Sequence, residues 1–236
     1  VLGTESAGCD IYFVVEVGHG LGRICAQERT WYVRNKREKT MNRSDVTELY
    51  YITPIENVPS IMKHGILSHN LSSRLSHSTV AMPEMQDKRK NKRIPGAGML
   101  HDYANLYFDA HNPMLCKRQD LNDSICVLRI EDSVLDLPNV IVADRNAAKD
   151  YARFYSAKDG LVALDKDKIY ARYWTNARDQ YEAWDLKAIK CAEVLILNRV
   201  EPKYILGSLV ANQTALESLR QFESKLPIEI KNGIFF

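Results

Sequence analysis

A chain of 236 residues is long enough for one substantial core, and an apolar share of 45% excludes wholesale disorder. With 32 Lys and Arg against 30 Asp and Glu the formal charge is only +2, so net charge alone announces no nucleic-acid partner. The five cysteines (Cys9, Cys25, Cys116, Cys126 and Cys191) form no C-x-x-C pair, and their odd number excludes a complete disulfide framework. A reduced, cytoplasmic setting follows from that usage, and no apolar run is long enough to predict a membrane partner.

Residues 1–40 read as an N-terminal extension of uncertain role, such as an overlong reading frame adds, with Met41 opening the main domain at 41–236. Within the extension, Cys9 to Val17 is expected to be a strand, Gly18 to Gly22 a loop and Thr30 to Thr40 a basic connection. The run Ile11 to Val17 is too short and too poorly flanked for a secretory signal. Leu49 to Thr53 is β-rich. Asn57 is placed to cap a helix that has Pro59 in its first turn and ends at His64-Gly65.

Residues 68–98 are polar and basic and predict a long functional loop or loose helix. Strands follow at Ala104 to Phe108 and Ile125 to Ile130. Helices are expected over Asn146 to Tyr155 and Asp165 to Thr175, and Ala183 to Lys190 leads into a further strand. Leu209 to Phe222 reads as an amphipathic helix and Ile228 to Ile234 as a closing strand. Helices and strands mix without βαβ alternation, so the class is α+β.

The strand Lys190-Cys191-Ala192-Glu193-Val194-Leu195-Ile196-Leu197 is the most informative. Alternation puts Cys191, Glu193, Leu195 and Leu197 on one face and Ala192, Val194 and Ile196 on the other. A carboxylate among leucines costs several kcal/mol of desolvation unless it is partnered. Glu193 therefore either works chemically or sits at a strand edge, satisfied by Lys190 or Arg199. A second local signal is the cluster Lys88, Arg89, Lys90, Lys92 and Arg93, which reads as a solvated charge run or as a phosphate-holding patch.

Three segments together resemble the DarT family, bacterial toxins that ADP-ribosylate bases in single-stranded DNA. They are Tyr50-Tyr51-Ile52-Thr53-Pro54-Ile55-Glu56-Asn57-Val58-Pro59-Ser60-Ile61 with His64-Gly65-Ile66-Leu67; Asp102-Tyr103-Ala104-Asn105-Leu106-Tyr107-Phe108 with Asn112-Pro113-Met114-Leu115; and the strand that carries Glu193. Order and spacing agree over roughly residues 48–206. Tyr51 stands where the family often has histidine or arginine, and Ala104-Asn105-Leu106 where it often has Val-Pro-Phe, which marks a divergent branch.

The resemblance implies an ADP-ribosyltransferase fold with a split central β-sheet, NAD in the cleft as a consumed co-substrate, and no metal. It implies Glu193 as the catalytic glutamate and Arg89, with Arg93 as competitor, as the functional arginine. Tyr51, Ile52, Thr53, Ser60, Ser68, Arg89 and Tyr107 fall on NAD-contact positions. It makes the stretch from Asn146 to Asp185 a helical, aromatic, substrate-side insertion, rich in side chains that stack unpaired bases and follow the backbone, and puts the residues that read the base within 140–185. Arg153, Tyr155, Trp174 and Arg178 are its DNA-contact candidates, although many aromatics there are expected to pack a small subdomain. The implied partners are single-stranded DNA, with thymine or guanine as target, and a macrodomain antitoxin; a monomer is expected.

The six histidines make no metal constellation, and Gly96-Ala97-Gly98 lacks the spacing of a phosphate loop. The rivals are a transferase acting on RNA or protein, and a catalytically silent nucleic-acid-binding module.

Overall fold

The computed structural model describes residues 12–17, 20–25 and 39–236, apart from 176 and 224. The chain divides into two compact units, Val1–Thr40 and Met41–Phe236. In the first, β1 (Tyr12–Val17) and β2 (Gly20–Cys25) pair antiparallel, with Tyr12 opposite Cys25 and Val17 opposite Gly20. The loop expected through Gly22 is thus strand from Gly20 onward, because Gly20, Leu21 and Gly22 are all in the ladder. Cys9 to Ile11 and most of the expected basic connection lie outside the described residues.

The second unit begins with β3 (Glu48–Pro54), α1 (Val58–His64), β4 (Ile66–Leu67), α2 (His69–Ser72), α3 (Pro83–Lys90), β5 (Tyr103–Tyr107) and α4 (Pro113–Cys116). It continues through β6 (Ile125–Glu131), β7 (Ile141–Ala143), β8 (Phe154–Ser156), α5 (Ala157–Ala163), α6 (Lys166–Ile169) and α7 (Gln180–Ile189). It closes with β9 (Glu193–Leu197), β10 (Arg199–Val200), β11 (Ile205–Val210), α8 (Gln213–Phe222) and β12 (Ile228–Ile230). Eight strands form one sheet in the order β12-β11-β6-β3-β5-β9-β7-β8, and β10 pairs with β4 separately.

The sheet is α+β in character and splits near its middle. β3 pairs with β6 along its whole length, from Glu48 opposite Glu131 to Pro54 opposite Ile125. It meets β5 only at Tyr50 opposite Tyr107. Backbone groups beyond that point are released from the ladder, and a gap opens between the two half-sheets.

The alternation of β9 is realised. Ala192, Val194 and Ile196 join the main core, with Leu49, Leu106, Leu128 and Val200. Cys191 and Leu195 enter separate clusters on the other face. Two glycines are dictated by close approach. At Gly65, φ is +87° and a Cβ would lie 2.3 Å from the Val200 carbonyl oxygen; at Gly160 it would lie 2.4 Å from Val142 Cβ.

Several expected elements differ. Asn57 does not cap α1, because a 3-10 turn runs straight into the helix and leaves no free amide for it. Its amide group instead binds the backbone of Ser78, donating to the carbonyl at 2.6 Å and accepting from the N–H at 3.1 Å. Residues 68–98, expected as a long loop or loose helix, contain two short helices, α2 and α3, with loop between them.

The helix expected over Asn146 to Tyr155 is absent. There Asp144 draws the chain back, its N–H donating to the Arg153 carbonyl at 3.1 Å and its side chain accepting from the Arg153 N–H at 3.0 Å, while the Ala147 N–H is turned to Glu193, so the segment closes as a turn. The chain then enters β8 instead. The helix expected over Asp165 to Thr175 stops at Ile169, whose carbonyl accepts from Lys190 Nζ at 2.8 Å. Of the predicted helix Leu209 to Phe222, the first residues belong to β11, and Asn212 caps α8 through the Ala215 N–H. The closing strand stops at Ile230 and gives way to a 3-10 turn.

Candidate active site in the split of the sheet

A cavity of about 380 Å³ opens at the split, a size ordinary for a small-molecule site. β3 lines it with Tyr51, Ile52 and Thr53, and β5 with Tyr103, Asn105 and Tyr107, the alternate residues that share one face of that strand. From α3 come Met85, Gln86 and Arg89, which helical spacing brings to one side. The loop tethered by Asn57 and Ser78 closes another wall.

Glu193 opens β9 directly opposite Tyr107 on one side and Ala143 on the other. Its carboxylate is fully buried and is held by three contacts. Arg89 Nη1 donates to Oε1 at 3.1 Å and to Oε2 at 3.0 Å, and the Ala147 backbone N–H donates to Oε1 at 2.9 Å. These contacts offset the desolvation that the sequence makes conspicuous. Glu193 does not itself line the cavity, whereas Arg89 does, so the guanidinium caps the carboxylate.

Lys190 and Arg199 are not its partners. Lys190 is buried against Asp109 and the Ile169 carbonyl, and Arg199 faces Glu201. Of the two candidate arginines, Arg89 meets Glu193 and Arg93 is exposed, its backbone bridged to Met99.

Burial, and then the charge of Glu193, push the Tyr107 phenol well above its usual range, so it stays protonated. Burial likewise raises the Cys191 thiol to about 12, which removes it as a nucleophile. His101 is pressed down to about 4 by burial and by its neighbours His69 and Arg89, so it is a neutral imidazole at neutral pH. Its Nε2 meets Gln86 Oε1 at 3.1 Å, and its ring lies 4.1 Å from that of His69.

The remaining candidates separate. Ser60 lines the cavity; Ser68 is buried behind it, at the start of α2, and its Oγ makes no hydrogen bond among the described residues. Arg153, Tyr155, Trp174 and Arg178 do not line the cavity. Trp174 is only 8% exposed and packs against His111 and Phe236, so its ring serves a small aromatic core rather than a free surface. Arg178 is 88% exposed and pairs with Glu182.

The insertion instead brings Asn146, Lys149, Trp184 and Lys187 to the cavity. Ala147 had no signal in the sequence, since it acts through its backbone. Among the described residues no group of His, Cys, Asp and Glu could hold a metal ion, and no helix is long and apolar enough to cross a membrane.

A family model described as ssDNA thymidine ADP-ribosyltransferase, DarT, matches residues 50–236. The chain belongs to the DarT family. A DNA ADP-ribosyl transferase-DNA ADP-ribosyl glycohydrolase fusion protein of Thermosipho africanus is 29% identical to it over 187 residues, 74% of this chain but only 45% of the relative. A DNA ADP-ribosyl transferase of Thermus sp. is 29% identical over 162 residues, 64% of this chain and 74% of the relative.

Among solved structures, Thermus sp. 2.9 DarT in complex with ADP-ribosylated ssDNA superposes with a TM-score of 0.69 at 26% identity, covering 81% of this chain and 97% of that one. Thermosipho africanus DarTG in complex with ADP-ribose gives a TM-score of 0.67 at 26% identity, over 80% of this chain and 51% of that one. The same Thermus protein has also been solved with NAD+. The chain therefore spans about half the length of its Thermosipho relative, and its mixed fold with a large central sheet is that of the DarT structures.

Proposed function

We propose that residues 41–236 form an NAD-dependent ADP-ribosyltransferase that modifies a base in single-stranded DNA. The observation that carries the reading is the Arg89–Glu193 pair, buried at the split of the sheet beneath a cavity of the right size for a dinucleotide end. Family membership and the NAD+ and ssDNA complexes of the Thermus protein support the choice of co-substrate and acceptor. Thymine is the target favoured by the family description; guanine is the alternative for a divergent branch.

The reaction breaks the bond between the ribose carbon and nicotinamide, which leaves with the electron pair, and joins that carbon to the base, which gives up a proton. Positive charge grows on the ribose as this happens. A preorganised carboxylate in a dry site is the group best suited to stabilise it, and Glu193 is positioned by the ladder to do so. An arginine is a poor general base, so the Arg89 guanidinium is assigned the role of polarising the acceptor.

Because Arg89 covers Glu193, contact between substrate and carboxylate requires the guanidinium to shift, and an anionic ligand in the cavity would draw it. Tyr51, Ile52 and Thr53 offer the unpaired edge of β3 to an amide, and Tyr107 offers a ring face. Ser60 adds a hydroxyl on the same cavity.

Support for the biological role comes from the Thermosipho relative, which joins a transferase to a DNA ADP-ribosyl glycohydrolase in one chain. The chain acts as the toxin of a toxin–antitoxin pair, with a macrodomain partner removing the modification. The test is transfer from labelled NAD to single-stranded DNA, duplex DNA, RNA and protein in parallel. Label in single-stranded DNA supports the reading, and nucleoside mass spectrometry names the base. Label in RNA or protein overturns the substrate; DNA binding with no consumption of NAD makes the chain a silent binding module.

A further inference from the structure

Two of the exposed aromatics of the insertion, Tyr181 and Trp184, stand together on α7. Tyr181 is 78% exposed and Trp184 50%, and their rings meet edge to face at 5.7 Å. Lys187 follows Trp184 on the same helical face, and both line the cavity with Lys149. The adjoining loop is fastened to this helix: Arg145 pairs with Asp185, next to Trp184, and lays its guanidinium 4.9 Å over the ring of Tyr151. Large aromatic side chains left half open beside lysines, at the mouth of a cavity, fit a ligand with flat apolar faces and a negative backbone.

We propose that Trp184, with Tyr181 beyond it, is the stacking platform for the nucleotide next to the target base, and that Lys187 and Lys149 face the phosphate joining the two. The proposal rests on the reading of the cavity as the transfer centre. It gives a physical reason for preferring a single strand: a base in duplex already has both faces covered by its neighbours and cannot lie on Trp184 without unstacking. It also makes Trp184 a determinant of sequence context, since purines offer a larger face than pyrimidines.

The test uses the full chain and a short single-stranded oligonucleotide, with intact flanks or with an abasic residue on the 5′ or 3′ side of the target. Binding is read by fluorescence anisotropy. Trp184→Ala is expected to weaken binding of the intact strand about tenfold, the scale of one lost base–aromatic stack, while Trp184→Phe retains most of it. An abasic residue on one side should weaken the wild-type protein by a similar factor, and Trp184→Ala should then add nothing further. The thermal midpoint should be unchanged in both variants, and NAD affinity should fall by less than the affinity for the intact strand.

An equal loss on the abasic strand, a parallel loss of NAD affinity, or no binding of single strands by the wild-type protein overturns the proposal. Coupled loss in binding with no label transferred to DNA leaves the platform standing and defeats the transferase reading instead.

Discussion

β9 and the segment from Asp144 to Asp179 lie on the same side of the cavity, yet they hold their side chains by different means. Glu193 is fixed by ladders on both sides, through Tyr107 on β5 and Ala143 on β7. Among the described residues, the strand pairing of the segment is limited to β8 against β7; Leu161, Leu164 and Ile169 anchor it in the main core, and individual contacts hold the rest. The Asp144 side chain pairs with Arg145, the Asp165 side chain caps α6, and Trp174 sits in its aromatic cluster. Partners distant in sequence complete the set: Lys92 Nζ donates to the Lys149 carbonyl, Lys190 to the Ile169 carbonyl and Arg172 to the Gly233 carbonyl. The register fixes the backbone of Glu193, with Arg89 and the Ala147 N–H completing the hold on its carboxylate, whereas a surface assembled from single contacts is adjustable one contact at a time.

The comparison breaks most severely at Lys190, which ties the two regions together. Lys190→Ala should leave Asp109 without its buried cation and the Ile169 carbonyl unsatisfied, at a cost of about 3–5 kcal/mol in urea unfolding. Pairing Lys190→Met with Asp109→Asn should restore more than half of that. A small effect of the single change would mean that the insertion holds itself in place.

Next in size is the response to acid. His101 is held at about 4 in the folded protein against an ordinary 6.5, so between those values the unfolded chain binds the extra proton and stability falls as pH falls. His69 is lowered too and acts in the same direction. His101→Gln should flatten the fall of the thermal midpoint across that window; an unchanged slope would place the acid sensitivity elsewhere.

Asn57→Ala should cost about 1 kcal/mol, for its two hydrogen bonds to Ser78, and raise the KM for NAD severalfold by loosening a cavity wall. Unchanged KM would show that this wall does not touch NAD. The smallest effect is expected at Arg178, an exposed partner of Glu182 on the helix surface. Arg178→Ala should leave the melting temperature unchanged and raise the KM for DNA slightly at low salt only.

The same contrast explains what the sequence disclosed. β9 was legible because alternation and one out-of-place carboxylate are properties of consecutive residues. β3, β6 and the helix ending at Gly65 were legible for the same reason, and three matched segments in register disclosed the family. The insertion was not. The amides of Asn146 and Ala147 go to Ala188 and Glu193, partners distant in sequence, and Asp144 draws Arg153 back beside it, so a helical stretch on paper becomes a turn. Trp174 and Trp184 look alike in sequence, but one closes a core with His111 and Phe236 and the other stands at the cavity. The basic run at 88–93 is similarly divided: Arg89 turns inward to Glu193 while Lys88 and Lys90 remain exposed.

The central claim is that Glu193, held by its register and capped by Arg89, is the transfer carboxylate. The direct measurement is the single-turnover rate of ADP-ribosyl transfer to single-stranded DNA by the wild-type chain and by Glu193→Gln, which retains an acceptor for the Ala147 N–H while removing the charge. A fall of about 100-fold or more with NAD binding little changed is the predicted result, beside a lower thermal midpoint because Arg89 loses its buried counter-charge. A rate within about threefold of wild type would contradict the account and leave the buried pair as a structural ion pair only.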